Sequence, residues 1–187
     1  MMTTYISLLR GVNFSGHNPI KMEALRMSYH NLGFSDVTTY VQSGNVIFSG
    51  NDLKINPLNL LISQKIEKEF GFKVPVIVMS ADSLTEIINN NPLLGQIHKD
   101  RSFFHVTFLS DAPKEFDISA IDSKKQKEEE VYFLNNAIYL YCPNGYGTTK
   151  LTNNFFESKL KLTATTRNWK TTNELLKIAL QLQLNIN

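Results

Sequence analysis

Two hairpin signals, each set between helical segments, constrain this chain more than any other feature. The first joins Asp36 to Gln42 with Asn45 to Ser49 around Ser43-Gly44, a link whose glycine tolerates positive φ. The second joins Glu129 to Leu134 with Ala137 to Cys142 around Asn135-Asn136, a pair that also accepts a tight turn. Before the first hairpin comes a strand, Thr4 to Leu9, and a helix from Ile20 to Leu32. Met22, Leu25, Tyr29 and Leu32 recur there at helical spacing. After it come a helix from Asn56-Pro57 to Phe70, a strand from Val74 to Met79 and a helix from Asp82 to Asn90. That order is the ferredoxin-like, split βαβ arrangement, with helices on one face of a mostly antiparallel sheet. Around the second hairpin lie a strand from Phe103 to Leu109, a short helix from Ala112 to Ile121, and helices over 149–160 and 172–184. Thr171 and Glu174 match a capping box for the last helix.

The expected fold is therefore α+β, with two ferredoxin-like (split βαβ) lobes. Both have mostly antiparallel sheets with helices on one face, and C-terminal helices follow. Residues 1–95 form the βαββαβ lobe. Residues 103–187 form a second βαββα-type lobe with two C-terminal helices. The boundary falls between Pro92 and Ser102, where proline, glycine and polar residues gather.

At 187 residues and 42% hydrophobic, the chain can bury a real core. Its 19% charged content excludes a charged, disordered polymer. A net charge of +2 does not by itself point to nucleic acid. Cys142 is the lone cysteine, so no internal disulfide is available. The start lacks the basic stretch and long apolar run of a signal peptide. No apolar run nears the ~20 residues of a membrane helix. These features predict a cytoplasmic protein with no membrane partner, and they leave the oligomeric state open. His17, His30, His98 and His105 have no partner at metal-binding spacing, so no metal is expected. Gly-x-Ser-x-Gly, Gly-x-Gly-x-x-Gly and the P-loop spacing are all absent, and no cofactor is implied.

Three segments have the makings of an anion site. Asn144-Gly145-Tyr146-Gly147-Thr148-Thr149-Lys150 follows a strand and opens a helix. Its glycines free backbone N–H groups, and Lys150 adds positive charge. The same residues also read as a plain strand-to-helix turn capped by Thr148 or Thr149. Thr163 to Thr172 reads as a polar linker between the last two helices, holding Arg167, Asn168 and Trp169. A guanidinium grips phosphate or carboxylate through two parallel bonds, and an indole stacks on a base. The alternative has Trp169 buried as an anchor and Arg167 paired or capping a helix. Residues 143–187 carry a net +4. The third segment is the loop of Arg10, Asn13 and His17, to be weighed with Gln42-Ser43-Gly44-Asn45. The split βαβ reading places this loop and this turn at opposite ends of their strands' paths.

Tyr5-Ile6-Ser7-Leu8-Leu9-Arg10-Gly11-Val12-Asn13, Thr39-Tyr40-Val41-Gln42-Ser43-Gly44-Asn45-Val46-Ile47-Phe48, Lys150-Leu151-Thr152-Asn153 and Thr165-Thr166-Arg167-Asn168-Trp169 resemble the bacterial family called domain of unknown function 1697. Phe14-Ser15-Gly16-His17-Asn18 resembles the family's loop, with Phe14 where a small residue is expected. The resemblance implies a two-lobed α+β fold and no particular reaction.

The expected function is binding of an anionic ligand, phosphorylated or nucleotide-like, or of a short nucleic acid. The candidate contacts are Arg10, Asn13, Tyr146, Lys150, Arg167, Asn168 and Trp169. One alternative is an enzyme acting on a phosphorylated or carboxylated metabolite, with Arg167 as anion clamp and His17 or Tyr146 as proton donor. Another is a structural or assembly protein.

Overall fold

The computed structural model describes residues 2–13, 16–51, 53–115 and 117–186, with no side-chain account of 185 and 186. Phe14, the one departure from the family's loop, and Ser15 lie outside them.

The first sheet is built from β1 (Met2–Leu9), β2 (Ser35–Tyr40), β3 (Asn45–Asn51) and β4 (Val76–Ser80). Their order is β2-β3-β1-β4, and every pairing is antiparallel. Two helices, α1 (Met22–His30) and α2 (Ile55–Phe70), provide the crossovers. Alternation along the strands sends Tyr5, Leu9, Val46, Phe48, Val76 and Val78 to one face. There they pack with Leu25 and Tyr29 of α1 and Leu58, Ile62 and Ile66 of α2. Ile6, Leu8, Ile47 and Ile77, which alternate with these, are buried as well. A further helix, α3 (Ala81–Asn89), follows β4 directly.

The second sheet repeats this plan. It contains β5 (Phe104–Leu109), β6 (Glu130–Leu134), β7 (Ala137–Tyr141) and β8 (Ala164–Asn168) in the order β6-β7-β5-β8, again all antiparallel. Its crossovers are α4 (Ile118–Asp122) and α5 (Asn153–Leu160). Leu109, Ile138, Leu140, Ala164 and Phe156 form the core on the helix side. The repeat extends to single hydrogen bonds. Leu9 N–H donates to the Gly44 carbonyl at 2.8 Å, and Leu109 N–H to that of Asn136 at 2.9 Å. Arg10 N–H donates to Pro75 at 2.9 Å, and Ser110 N–H to Thr163 at 3.0 Å.

Thr163 to Thr172 is not the linker expected from its polarity. Ala164–Asn168 is edge strand β8, and it runs straight into the last helix, α6 (Trp169–Ile186). Its β-branched threonines suit a strand, and Thr166 finds a hydroxyl partner in Thr107 across the ladder at 2.7 Å. The helix cap therefore lies earlier than the Thr171–Glu174 box. The Asn168 side chain accepts the Thr171 N–H at 2.8 Å, as the Ser80 hydroxyl accepts the Ser83 N–H at 3.1 Å ahead of α3. The helix expected from Thr149 starts instead at Asn153, capped by Thr152. The chain divides into two compact units, residues 1–86 with 174–187, and residues 87–173.

Candidate functional site

The loop after β1 and the β2–β3 turn do not lie at opposite ends of their strands' paths. They meet. Because β3 runs antiparallel to β1, the start of β3 lies beside the end of β1, and Leu8 pairs with Asn45. The turn spans four residues, 41–44, rather than two.

Asn13 ties this corner together. Its amide nitrogen donates to the carbonyls of Ile20, at 2.8 Å, and Gln42, at 2.9 Å. Its side-chain oxygen accepts the Ile20 N–H at 2.8 Å. Its backbone sits at φ 52°, a region asparagine tolerates better than most residues. Asn18, at φ 47°, closes the loop by donating to the Gly11 carbonyl at 3.1 Å. Arg10 stands half-buried where β1 ends. His17 is exposed.

An open hollow of about 610 Å³ lies against this corner. Asn13 and Gln42 line it, and Ile20, Lys21, Met22 and Glu23 bring in the start of α1. The first amides of a helix have no intrahelical acceptor. Lys21 occupies the cap position of α1, and no side chain caps that end. Lys21 is exposed, at the end of the helix that carries partial positive charge. Glu23 is engaged by Arg26 of the same helix. The corresponding helix of the second lobe differs. Ahead of α4, Asp117 accepts both the N–H and the hydroxyl of Ser119, at 2.9 and 2.6 Å. Those bonds hold its carboxyl below the usual carboxylate range. There the chain's own carboxylate caps the helix start.

The second-lobe candidates do not form one group. Tyr146 stacks on His105 with ring centroids 4.8 Å apart, and its hydroxyl donates to Thr166 at 3.0 Å. Thr166 in turn donates to Asn153 at 2.7 Å. Arg167 is the next residue along β8, so it lies on the other face of the sheet. There it is buried, and it donates to the Thr165 hydroxyl at 2.8 Å and the Thr166 carbonyl at 2.9 Å. Lys150 is exposed ahead of α5. Asn168 caps α6, and Trp169 is 8% exposed, its ring turned into the protein. Among the described residues no cluster of three His, Cys, Asp or Glu side chains could hold a metal ion. Burial, reinforced by Glu129, pushes the Cys142 thiol up to about 12.

Sequence reasoning named Asn13 but missed Lys21. The signal was an absence. The α1 segment starts without the Ser, Thr, Asp or Asn that usually precedes a helix.

Residues 2–139 match the family described as Protein of unknown function (DUF1697). The chain belongs to this family. The match takes in all of the first sheet and the second as far as β7. Among solved structures, the chain is similar to a conserved bacterial protein, SP0830, from Streptococcus pneumoniae. The two are 24% identical, with a TM-score of 0.69 over 96% of this chain and 99% of that one. That likeness bears on the fold. No curated protein matches the chain. Among the described residues, no helix is long and apolar enough to cross a membrane.

Proposed function

We propose that the protein binds a small anionic ligand, phosphorylated or nucleotide-like, in the hollow at the start of α1. One observation carries this reading. The uncapped first turn of α1 opens on the hollow with Lys21 at its rim, whereas the matching helix of the second lobe is closed by Asp117. Amides without acceptors, a helix dipole and an ammonium together favour an anion. The volume suits a compact metabolite or a nucleotide. Pro19, Ile20 and Met22 supply an apolar wall for the uncharged part of such a ligand.

A small ligand fits better than a base-stacking platform. The central strands β1 and β3 are buried along nearly their whole length, on both faces. Single-stranded RNA readers need exposed aromatics at those positions.

The test is a thermal-shift screen of phosphorylated metabolites and nucleotides against their uncharged parents, followed by calorimetry on the hits. A ligand at 100 times its Kd adds about 2.7 kcal/mol to stability. In a chain of this size that raises Tm by roughly 5–10 °C. Lys21→Glu should abolish the shift. The proposal fails if no anion moves Tm, or if Lys21→Glu responds as the wild type does.

A further inference from the structure

We infer that Asn13 is the positioning residue of this site, holding the start of α1 and the β2–β3 turn in register while making no contact with the ligand itself. The inference rests on the anion-binding reading above. Its basis is the donor and acceptor inventory of one side chain. An asparagine amide offers two N–H donors and an oxygen with two lone pairs. Both donors of Asn13 are committed, one to Ile20 and one to Gln42. The oxygen already accepts from Ile20 N–H. Only a lone pair remains, and a lone pair repels an anion. Asn13 therefore lines the hollow without being able to ligate what the hollow attracts.

What Asn13 does instead follows from its partners. Ile20 and Gln42 both line the hollow, one from the start of α1 and the other from the β2–β3 turn. Ile20 immediately precedes Lys21, the cap position of α1. Three bonds from one side chain thus set the distance between the helix start and the turn. The fold does not require such a clamp. Among the described residues, no side chain of the β5–α4 connection bonds both the α4 start and the β6–β7 turn, yet that lobe keeps the same sheet order. The turn itself is under strain. Val41, a β-branched residue, is held at φ 49°. A clamp from outside the hairpin keeps that conformation populated.

Asn13→Gly separates the clamp from the backbone, because glycine adopts φ 52° freely. Asn13→Ser is the milder second variant. Val74→Ala is the control, since Val74 is buried in the same lobe and does not line the hollow. Inorganic pyrophosphate serves as the probe. Its affinity is measured by calorimetry and by amide shifts of Met22 to Ala24, at a temperature where circular dichroism shows every variant folded. Losing the clamp should weaken pyrophosphate binding about tenfold in Asn13→Gly, the worth of one to two net hydrogen bonds. Asn13→Ser should fall between it and the wild type, and Val74→Ala should bind as the wild type does. Unchanged affinity in both Asn13 variants, or an equal loss in Val74→Ala, would overturn the positioning role and leave the anion site standing. A wild type that does not bind pyrophosphate would overturn the anion site and this role with it.

Discussion

At Gly44 the chain has no room for a methyl group. A Cβ there would lie 2.4 Å from a Val12 methyl carbon and 2.7 Å from the Leu9 Cβ, and φ is +71°. Gly44→Ala should cost about 3 kcal/mol, through overpacking and backbone strain together. Urea denaturation measures it, and a loss under ~0.5 kcal/mol would mean the β1–α1 loop yields freely. His105 makes a different kind of prediction. Its ring N–H donates to the Phe103 carbonyl. Burial lowers its pKa below the usual histidine value, and the bond to Phe103 only partly offsets this. The folded protein thus binds the proton less well than the unfolded chain. The stability His105 contributes is complete above about pH 6.5, declines as pH falls through that value, and levels off below the folded pKa. His105→Phe keeps a ring against Tyr146 and cannot titrate. The urea midpoint of this variant should change less between pH 7.5 and 5.5 than that of the wild type, and an identical slope would refute the assignment. Histidine at this position is legible in the sequence. Its stack on Tyr146 is not, because the two lie far apart along the chain.

Among the elements, β8 and α6 show how local chemistry is read correctly and placed wrongly. Thr163 to Thr172 is polar, and polarity between two helical patterns reads as a linker. Pairing with β5 makes it a strand instead, because β-branched residues suit a half-buried edge. Two residues taken as ligand contacts then acquire other work. Asn168 caps α6, and Trp169 opens its first turn, buried. Asn168→Ala should destabilise the protein by about 1 kcal/mol, the usual cost of a lost cap. An Asn168→Ala variant as stable as the wild type would show that the cap is dispensable.

Over the whole molecule, two copies of one topology act as controls for each other. Sheet order, pairing direction and the hydrogen bonds at the end of the first strand are the same in both. Features that differ, such as Lys21 against Asp117 at the matching helix starts, are not demanded by the architecture. The last helix adds a long-range dependence. It begins in the second unit, while Glu174–Asn187 belongs to the first. Leu175 and Ala179 are fully buried within that stretch. Leu175→Ala should cost about 3 kcal/mol. In hydrogen exchange, the loss of protection should appear in β1 to β4. Loss confined to β5 to β8 would contradict the assignment of this stretch to the first unit.

The sequence by itself determined seven of the strands and roughly where their hairpins turn, because apolar alternation, glycine and asparagine act over a few neighbouring residues. It also marked Arg10, Asn13 and the Gln42-Ser43-Gly44 turn as unusual. Only the tertiary structure decided that this loop and this turn share a corner, that Asn13 spends its hydrogens on the chain, and that Tyr146 and Arg167 face opposite ways. Those facts depend on strand order and direction, which bring together residues dozens of positions apart. No local spacing records them.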